Sequence, residues 1–360
     1  MLTQIPGLHK SLEKLETLHV SGTPEEIGFA IGQKDAVSIH QQILQLFEFK
    51  AAQQVYSGSN YLKGLDAAAR KVFPEYVLEL EGMAKGAQVD YETLLIWNCR
   101  GDLPLLEDSI PESPENVPEG CTTILYPADN GNNAIIAHNE DGPPELNGHC
   151  SWLTVHPVEG QEFSAFHYPG MLPGHTFSIN AHGLVQTINN IRTDDLQSGV
   201  PRHFICRAIL DCKTMQEALM LLKRRDRAGG FHHSLGQPSG PSLLSVEAPP
   251  SGCVVNKIDS PTTHANHLLD EEFYGVSQTV TASSEFRQQM SEKLLSESTS
   301  ADAKSILFHH RSKGLSIYRR PNDGVDDYAF TLATAVFEIS AESVSWQIHL
   351  NKNTTPTLSN

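Results

Sequence analysis

The sequence is poor in cysteine and contains no Cys-x-x-Cys pair. Its 360 residues include only six cysteines, too few for a disulfide scaffold at this length. Without a Cys-x-x-Cys pair, zinc-ribbon and thioredoxin-type proteins are excluded as interpretations. We therefore expect reduced thiols and a cytoplasmic protein.

Long apolar runs and an excess of basic charge are also missing. No segment approaches the ~20 apolar residues of a membrane span, and residues 1–20 lack the apolar block of a signal peptide. The 26 Lys and Arg residues face 43 Asp and Glu residues, which gives a net charge of −17. Such a chain repels phosphate backbones and anionic lipid surfaces, so we expect neither nucleic acid nor membrane as a partner.

Motifs that hold nucleotides or metals are absent as well. The sequence has no Walker A loop, no G-x-G-x-x-G, no H-E-x-x-H and no G-x-S-x-G elbow. Its 17 histidines include the close groups His232-His233, His264 with His267, and His309-His310. Since no carboxylate lies at a helpful helical offset from them, we expect no metal and no cofactor.

What is present first is a helical region of ordinary globular composition. Thr23-Pro24-Glu25-Glu26 has the pattern of a capping box, and Pro74 and Asp90 begin two further helical patterns. Residues 103–120 are then rich in proline and acidic side chains and follow no period, which indicates an exposed linker.

After the linker the hydrophobic period changes to two, which favours strands. The pattern predicts two packed sheets with helices outside them, an α+β class. Strands are expected at 122–126, 134–138, 152–158, 163–168, 176–180, 184–188, 243–248, 254–258, 331–339 and 344–350, and helices at 202–210, 215–225 and 285–295.

Cys121 is the strongest candidate for chemistry, because it stands where the linker ends and the first of these strands begins. If the Gly120–Cys121 bond is cut, Cys121 becomes an amino terminus that carries a thiol nucleophile and its own base. A free α-amino group titrates near ~7.7–8 and can take the thiol proton. Spacing alone leaves open a second interpretation, a buried structural cysteine at a strand start.

Blocks along nearly the whole chain resemble the acyl-coenzyme A:6-aminopenicillanic acid acyltransferase family of N-terminal-nucleophile hydrolases (peptidase C45-type). The processing-site block of the family is similar to Gly120-Cys121-Thr122-Thr123. The other similar blocks are Ser21-Gly22-Thr23-Pro24-Glu25-Glu26-Ile27-Gly28, Phe73-Pro74-Glu75-Tyr76, Trp97-Asn98-Cys99-Arg100, His138-Asn139-Glu140-Asp141, Asn180-Ala181-His182-Gly183-Leu184 and Ala265-Asn266-His267.

The resemblance implies a four-layer αββα sandwich of the N-terminal-nucleophile hydrolase type. It also implies autoproteolysis between Gly120 and Cys121. The cut would give a helical α chain of residues 1–120, which ends in the linker, and a β chain of residues 121–360, which stays associated with it.

The resemblance further implies roles for single residues. Cys121 matches the nucleophile, and Gly120 lies on the acyl side of the processed bond. Asp141 matches the acidic residue that holds the amine or thiol of the nucleophile, with Asn139 as the rival for that position. Glu140 stands where relatives often carry an aromatic residue.

Three further positions complete the implied site. Asn266 matches an asparagine whose side-chain NH₂ donates to an oxyanion, and Asn189 is a second candidate donor, with Asn190 as its rival. Arg319 resembles the late arginine of the family, a cation near the thiol, with Arg320 as the alternative.

The reaction implied is cleavage of a small N-acyl amide through a thioester on Cys121. We expect a hydrolase, because no basic site for a nucleotide phosphate is evident. The alternatives are an acyl-CoA-dependent N-acyltransferase and a non-catalytic binding member of the fold. Expected partners are the substrate, the protein's own α chain and, if it forms a homo-oligomer, further copies of the protein.

Overall fold

The computed structural model describes residues 14–104, 120–129, 131–238, 240–297, 302–320, 329–353 and 355–360, without the side chains of residues 240–242. Most of the predicted linker therefore lies outside the described residues. Its first two residues, Leu103 and Pro104, follow closely on the helical region, and Leu103 is buried.

The amino-terminal region is built around two helices that cross in close contact. Helix α1 (Pro24–Gln41) begins with the predicted capping box, in which Thr23 and Glu26 cap each other's backbone N–H groups. It lies against helix α4 (Pro74–Ala87), and a Cβ on Gly28 or Gly32 would come within 2 Å of a backbone oxygen of α4. Both positions therefore require glycine.

The remaining helices lie in three groups along the chain. Helices α2, α3 and α5 complete the amino-terminal region, α6 and α7 follow the seventh strand, and α8 and α9 precede the last strands. Their bounds are α2 Phe47–Tyr56, α3 Asn60–Val72, α5 Tyr91–Cys99, α6 Arg202–Ile209, α7 Met215–Leu222, α8 Ala282–Glu297 and α9 Ala303–Leu307.

The strands form two sheets. The larger has the order β1-β4-β5-β6-β7-β8-β9-β10, and the smaller has the order β11-β2-β3-β12-β13-β14. The bounds are β1 Glu16–Gly22, β2 Gly120–Tyr126, β3 Ala134–Gly142, β4 Ser151–Pro157, β5 Phe163–His167, β6 Phe177–Asn180, β7 Val185–Asn190, β8 Phe231–Gln237, β9 Gly240–Ala248, β10 Val254–Ile258, β11 Thr262–His264, β12 Phe330–Ile339, β13 Val344–His349 and β14 Leu358–Ser359.

The two sheets pack face to face through aromatic side chains. Trp152 of β4 meets Trp346 of β13 with ring centroids 4.8 Å apart, and Phe177 of β6 meets Phe337 of β12. Helices α1 and α7 contact the larger sheet, whereas α8 and α9 contact β2, β3 and β11 of the smaller one. The α+β class and the four-layer αββα sandwich are thus confirmed.

The amino-terminal region contains one strand that was not predicted. Strand β1 lies before α1 and pairs in parallel with β4, from Glu16 opposite Ser151 to Gly22 opposite Pro157. Only Val20 of this strand is buried, so the hydrophobic pattern is too weak to reveal it. Pairing with a distant strand, rather than local preference, determines its conformation.

Strand β3 is longer than predicted. The expected strand ended at His138, whereas β3 continues to Gly142 and pairs with both β2 and β12. Asn139, Glu140 and Asp141 are polar and lack a period-two apolar signal, yet each is buried. Partners on both sides hold these polar residues in the strand.

None of the helices in the described ranges combines the length and the apolar character needed to cross a membrane.

Candidate active site

Cys121 lies at the start of β2, in the middle layers of the sandwich. The antiparallel register places it directly opposite Glu140 of β3, so the two side chains lie on the same face of the sheet. Cys121 is 5% exposed and Glu140 is 6% exposed. The thiol is therefore buried beside a carboxyl group.

The main chain of Cys121 is held by two side chains. Its backbone N–H donates to Oδ1 of Asn266 at 2.8 Å, and its carbonyl oxygen accepts a hydrogen bond from Nη1 of Arg287. Arg287 also donates to Oδ1 of Asn266 at 2.7 Å and to Oγ1 of Thr122 at 3.0 Å. Arg287 of helix α8 thus contacts the carbonyl group of Cys121 directly and its N–H group through Asn266.

Gly120 lies in a space that no side chain could share. A Cβ built on it would lie 2.6 Å from Nη1 of Arg319, 2.9 Å from Nη2 of Arg287 and 3.3 Å from Oδ1 of Asn266. Two buried guanidinium groups therefore closely approach the residue on the acyl side of the proposed cut.

The thiol side of Cys121 has a different set of neighbours. Sγ lies 3.6 Å from Oε2 of Glu140, and the same oxygen lies 3.2 Å from Nε2 of His138. The other oxygen, Oε1, accepts a hydrogen bond of 2.6 Å from the hydroxyl of Tyr168. The carboxyl group thus connects the thiol with an imidazole and a phenol.

A buried polar chain continues behind His138. Its Nδ1 lies 2.8 Å from Oγ1 of Thr123, and that hydroxyl lies 2.7 Å from Oδ1 of Asn189. The side-chain amide of Asn189 donates to the carbonyl oxygen of His264 at 2.9 Å. The chain connects β3, β2 and β7 across the interface of the two sheets.

Burial determines the protonation preferences at this site. It raises the pKa of the Cys121 thiol well above its ordinary value, the carboxylates of Glu140 and Asp141 raise it further, and Arg287 and the backbone N–H of Asn190 oppose this. Burial also lowers the pKa of His138 to about 3. The resting site therefore favours a neutral thiol and a neutral imidazole.

Asp141 and Arg319 lie close together beside Gly120. Asp141 is 1% exposed, its Oδ1 accepts from Oγ1 of Thr331 at 2.6 Å, and its Oδ2 lies 3.6 Å from Nη1 of Arg319. Asp141 is therefore buried and holds contacts to two other parts of the chain. In the register of β2 and β3 it lies opposite Gly120 rather than Cys121.

The two rivals for these positions lie elsewhere. Asn139 donates to the carbonyl oxygen of Leu307 and accepts from Thr334, which ties β3 to α9 and β12. Arg320 lies over the ring of Tyr318 and donates to the carbonyl oxygen of Thr331.

Each side-chain amide predicted as an oxyanion donor already donates to a carbonyl oxygen of the chain. The side-chain amide of Asn266 donates to the carbonyl oxygen of Asn190 at 2.9 Å, and its oxygen holds Cys121 and Arg287. Asn189 belongs to the chain behind His138. It is Asn190 that lies at the cavity, with its backbone N–H beside the thiol.

A small cavity of about 30 Å³ opens beside Cys121. Its wall carries charges of both signs and a few apolar side chains. The lining residues are Arg100, Cys121, Glu140, Asp141, Tyr168, His175, Ile188, Asn190, Arg202, His203 and Phe231.

One ring nitrogen of His175, a residue that lines the cavity, has an acceptor lone pair without a hydrogen bond within the described part of the chain. Its Nδ1 lies 3.1 Å from the carbonyl oxygen of Leu172, which can only accept, so Nδ1 carries the proton. Its Nε2 is buried and has no hydrogen-bond partner among the described residues. Burial lowers the pKa of His175 well below its ordinary value, so the ring stays neutral.

Potential metal ligands occur at the thiol itself. One ligand atom each from Cys121, His138 and Glu140 lie within 4.8 Å of one another. Hydrogen bonds between Glu140 and the other two account for this grouping, so we assign no metal to it.

Histidines of the groups noted in the sequence contact other residues of the chain. His264 lies 2.8 Å from Glu247 and stacks on His232, and His267 contacts Ser284. His310 approaches the carbonyl oxygen of Tyr318.

Sequence reasoning missed two contributors to the site. Arg287 lies on the buried face of α8 together with Ser284, Gln288 and Ser291, a polar stripe at helical spacing. Such a stripe is unusual for a face that packs on a sheet, and it was the available signal. His138 carried no such signal, because its partner Thr123 lies on another strand and its partner Glu140 lies beyond the predicted end of β3.

Comparisons with known proteins agree with the expected family. A family model described as "Acyl-coenzyme A:6-aminopenicillanic acid acyl-transferase" matches residues 128–353. A Drosophila melanogaster protein, "Beta-alanyl-dopamine/carcinine hydrolase", is 28% identical over an alignment of 376 positions, gaps included, that covers 92% of each chain. The "Acyl-coenzyme A:6-aminopenicillanic-acid-acyltransferase 40 kDa form" of Emericella nidulans is 24% identical over 70% of each chain.

Among solved structures, a variant of conjugated bile acid hydrolase from Clostridium perfringens is similar to 67% of this chain and 91% of its own. The sequence identity is 10% and the TM-score is 0.43.

Proposed function

Because the chain belongs to the acyl-coenzyme A:6-aminopenicillanic acid acyl-transferase family, we propose that Cys121 is the nucleophile that cleaves a small N-acyl amide. The observation that carries this proposal is the placement of Cys121. Its thiol lines a cavity at a strand start, while Asn266 and Arg287 hold its main chain. A buried structural cysteine also needs partners for its main chain, but it need not place its thiol in the wall of a cavity.

The relatives support an enzyme that acts on an amide C–N bond. One is named a hydrolase and the other an acyltransferase. Both activities are compatible with a thioester on Cys121, which water or a second amine then attacks.

The proposal includes maturation by a cut between Gly120 and Cys121. The products are an α chain of residues 1–120 and a β chain of residues 121–360. After the cut, the α-amino group of Cys121 has an ordinary pKa of about 7.7–8, so it can accept the thiol proton at neutral pH. This matters because burial holds the thiol in its neutral form.

The lining of the cavity favours a small substrate with polar groups. The wall of the cavity places charged side chains of both signs beside the thiol, which suits a polar substrate. Nε2 of His175 offers an acceptor in its wall, which suits a substrate that carries an N–H or O–H donor. Acyl transfer from coenzyme A to an amine remains the second candidate, supported by the acyltransferase relative.

Intact mass of the purified protein tests the nucleophile and the cut together. The wild type should give two fragments that meet at Gly120 and Cys121, while Cys121→Ala should remain one chain. Cys99→Ala, which removes another buried cysteine, is the matched control and should be cut normally.

The reaction is tested with a panel of N-acyl amines, each with and without acyl-CoA. Hydrolysis predicts free acid from the cut wild type without acyl-CoA. Product that forms only with the thioester donor would establish the acyltransferase instead. A cut protein that binds these amides and turns over none of them would indicate a non-catalytic member.

A further inference from the structure

The proposed cut raises a problem of proton transfer that the mature enzyme does not have. Before the cut, the nitrogen of Cys121 is an amide that donates to Asn266, so no α-amino group exists to accept the thiol proton. We propose that Glu140, backed by His138, accepts that proton during self-cleavage. The inference rests on the proposed function, because it concerns the maturation of the same nucleophile.

The donor and acceptor roles in the buried chain can be assigned from its far end. The carbonyl oxygen of His264 can only accept, so the atom of Asn189 that faces it is the amide nitrogen. The oxygen of Asn189 therefore faces Thr123, and the hydroxyl of Thr123 must donate to it. This leaves only a lone pair of Thr123 for the imidazole of His138.

Nδ1 of His138 must consequently carry a proton and donate to Thr123. In a neutral ring, Nε2 then presents a lone pair to Oε2 of Glu140 at a distance of 3.2 Å. A lone pair and an ionised carboxylate would repel each other at that distance. One proton therefore lies between these two atoms, shared by His138 and Glu140.

The resting position of the shared proton follows from burial. Burial lowers the pKa of His138 to about 3, which favours the proton on Glu140. Tyr168 donates to the other oxygen of the same carboxyl group and fixes its orientation. The oxygen that carries the shared proton is also the one that lies 3.6 Å from the thiol.

The step balances as a transfer along this chain. The thiol proton passes to Oε2 of Glu140 as the shared proton moves to Nε2 of His138, and the thiolate attacks the carbonyl carbon of Gly120. The C–N bond to Cys121 then breaks, its nitrogen takes one proton back, and a thioester forms. Water hydrolyses the thioester, which releases the carboxylate of Gly120 and restores the thiol.

The sharpest variant is Glu140→Gln. Its amide NH₂ can donate to Nε2 of His138, and its oxygen can accept from Tyr168, so the folded contacts are kept while proton transfer is lost. Full-length protein made by cell-free synthesis is sampled over time, and intact mass gives the fraction that is cut. We expect cleavage at least ~100-fold slower than in the wild type, with an unchanged melting temperature.

Further variants separate a chemical role from a structural one. Glu140→Asp keeps a carboxylate and should cleave faster than Glu140→Gln. Added formate should accelerate Glu140→Ala, because it supplies a small carboxylate, and should leave Cys121→Ala uncut. Glu162→Gln changes a carboxylate on the surface, paired with His156, and should be cut at the wild-type rate.

Three outcomes overturn the inference. Cleavage of Glu140→Gln within threefold of the wild type would show that another group accepts the proton. Loss of wild-type cleavage in EDTA would replace the proton transfer with a metal at Cys121, His138 and Glu140. An uncut wild type would overturn the proposed maturation as well, whereas the first two outcomes leave it standing.

Discussion

The two sides of Cys121 differ in how they are held. On its main-chain side, Arg287 and Asn266 form direct hydrogen bonds to the backbone, and Arg319 lies close to the preceding glycine. On its thiol side, the neighbours are a carboxyl group, an imidazole and a phenol.

The comparison separates positioning from proton transfer. Guanidinium groups keep their charge at any working pH and form several fixed bonds at once, which suits a role in holding the backbone. Groups that share a proton can change state, which suits a role beside a reacting thiol. Changes on the main-chain side should therefore disturb geometry, and changes on the thiol side should disturb protonation.

The largest effect is expected from Arg287→Met. It removes donors to the carbonyl oxygen of Cys121, to Thr122 and to Asn266 from a buried site. We expect a loss of about 3 kcal/mol in the free energy of unfolding and cleavage slower by roughly 100-fold. Urea denaturation and intact mass measure the two effects.

Arg287→Lys and Arg225→Met are the comparisons for this experiment. Lysine keeps the charge without the planar fork, so it should restore only part of the cleavage rate. Arg225 is exposed, and its replacement should change neither quantity. Wild-type stability and cleavage rate in Arg287→Met would show that neither depends on the contacts of Arg287.

A smaller effect is expected from Gly120→Ala. The new Cβ would meet Arg319 at 2.6 Å and Arg287 at 2.9 Å, so both guanidinium groups must shift. We expect a loss of about 1–3 kcal/mol in stability and roughly tenfold slower cleavage, since 1.36 kcal/mol in a barrier is a factor of ten. Gly275→Ala is the control, because nothing lies within 4 Å of the added atom; equal effects at both positions would contradict the prediction.

The smallest effect concerns acid on the thiol side. His138 is held neutral down to about pH 3 in the folded protein, whereas it is protonated below about 6.5 in the unfolded chain. Because the folded pair of His138 and Glu140 keeps one shared proton, the unfolded state binds more protons only below the ordinary pKa of glutamate, about 4.3. Stability therefore falls as the pH falls from about 4.3 towards 3. Over that range the loss is at most about 2 kcal/mol.

His138→Asn tests this, since it keeps a donor for Thr123 without the titrating ring. Urea denaturation at about pH 5 and at about pH 3.5 should show a smaller loss on acidification for the variant than for the wild type. His156→Asn, a change on the surface, should lose as much as the wild type. An identical pH dependence in all three proteins would show that His138 is not the acid-sensitive group.

Much of the fold was predictable because periodicity and caps are local signals. The capping box at Thr23 and most strands after residue 120 lie where the sequence places them. Strand β1 and the second half of β3 were not predictable, since their conformation depends on pairing with distant strands. The residues between 105 and 119, on which the linker prediction falls, lie outside the described chain.

The sequence predicted which residues belong to the site better than it predicted the contacts between them. Cys121, Gly120, Asp141, Asn266 and Arg319 lie together, as family resemblance implied, and their catalytic roles stay predictions. The orientation of the Asn266 amide depends on Asn190 and Arg287, which lie far apart in sequence. The spacing of Asn190, Asn266 and Arg287 in the sequence does not predict that they meet.

Strand β1 has a consequence for the molecule after the proposed cut. The segment before the cut then supplies an edge strand to a sheet whose other seven strands come from the segment after it. The severed pieces would be one folded body without a covalent link. Refolding of the uncut chain would follow first-order kinetics, whereas recovery of the cut protein from denaturant would depend on concentration. Before maturation a single chain would fold alone, whereas after it two separate chains would have to associate in order to refold.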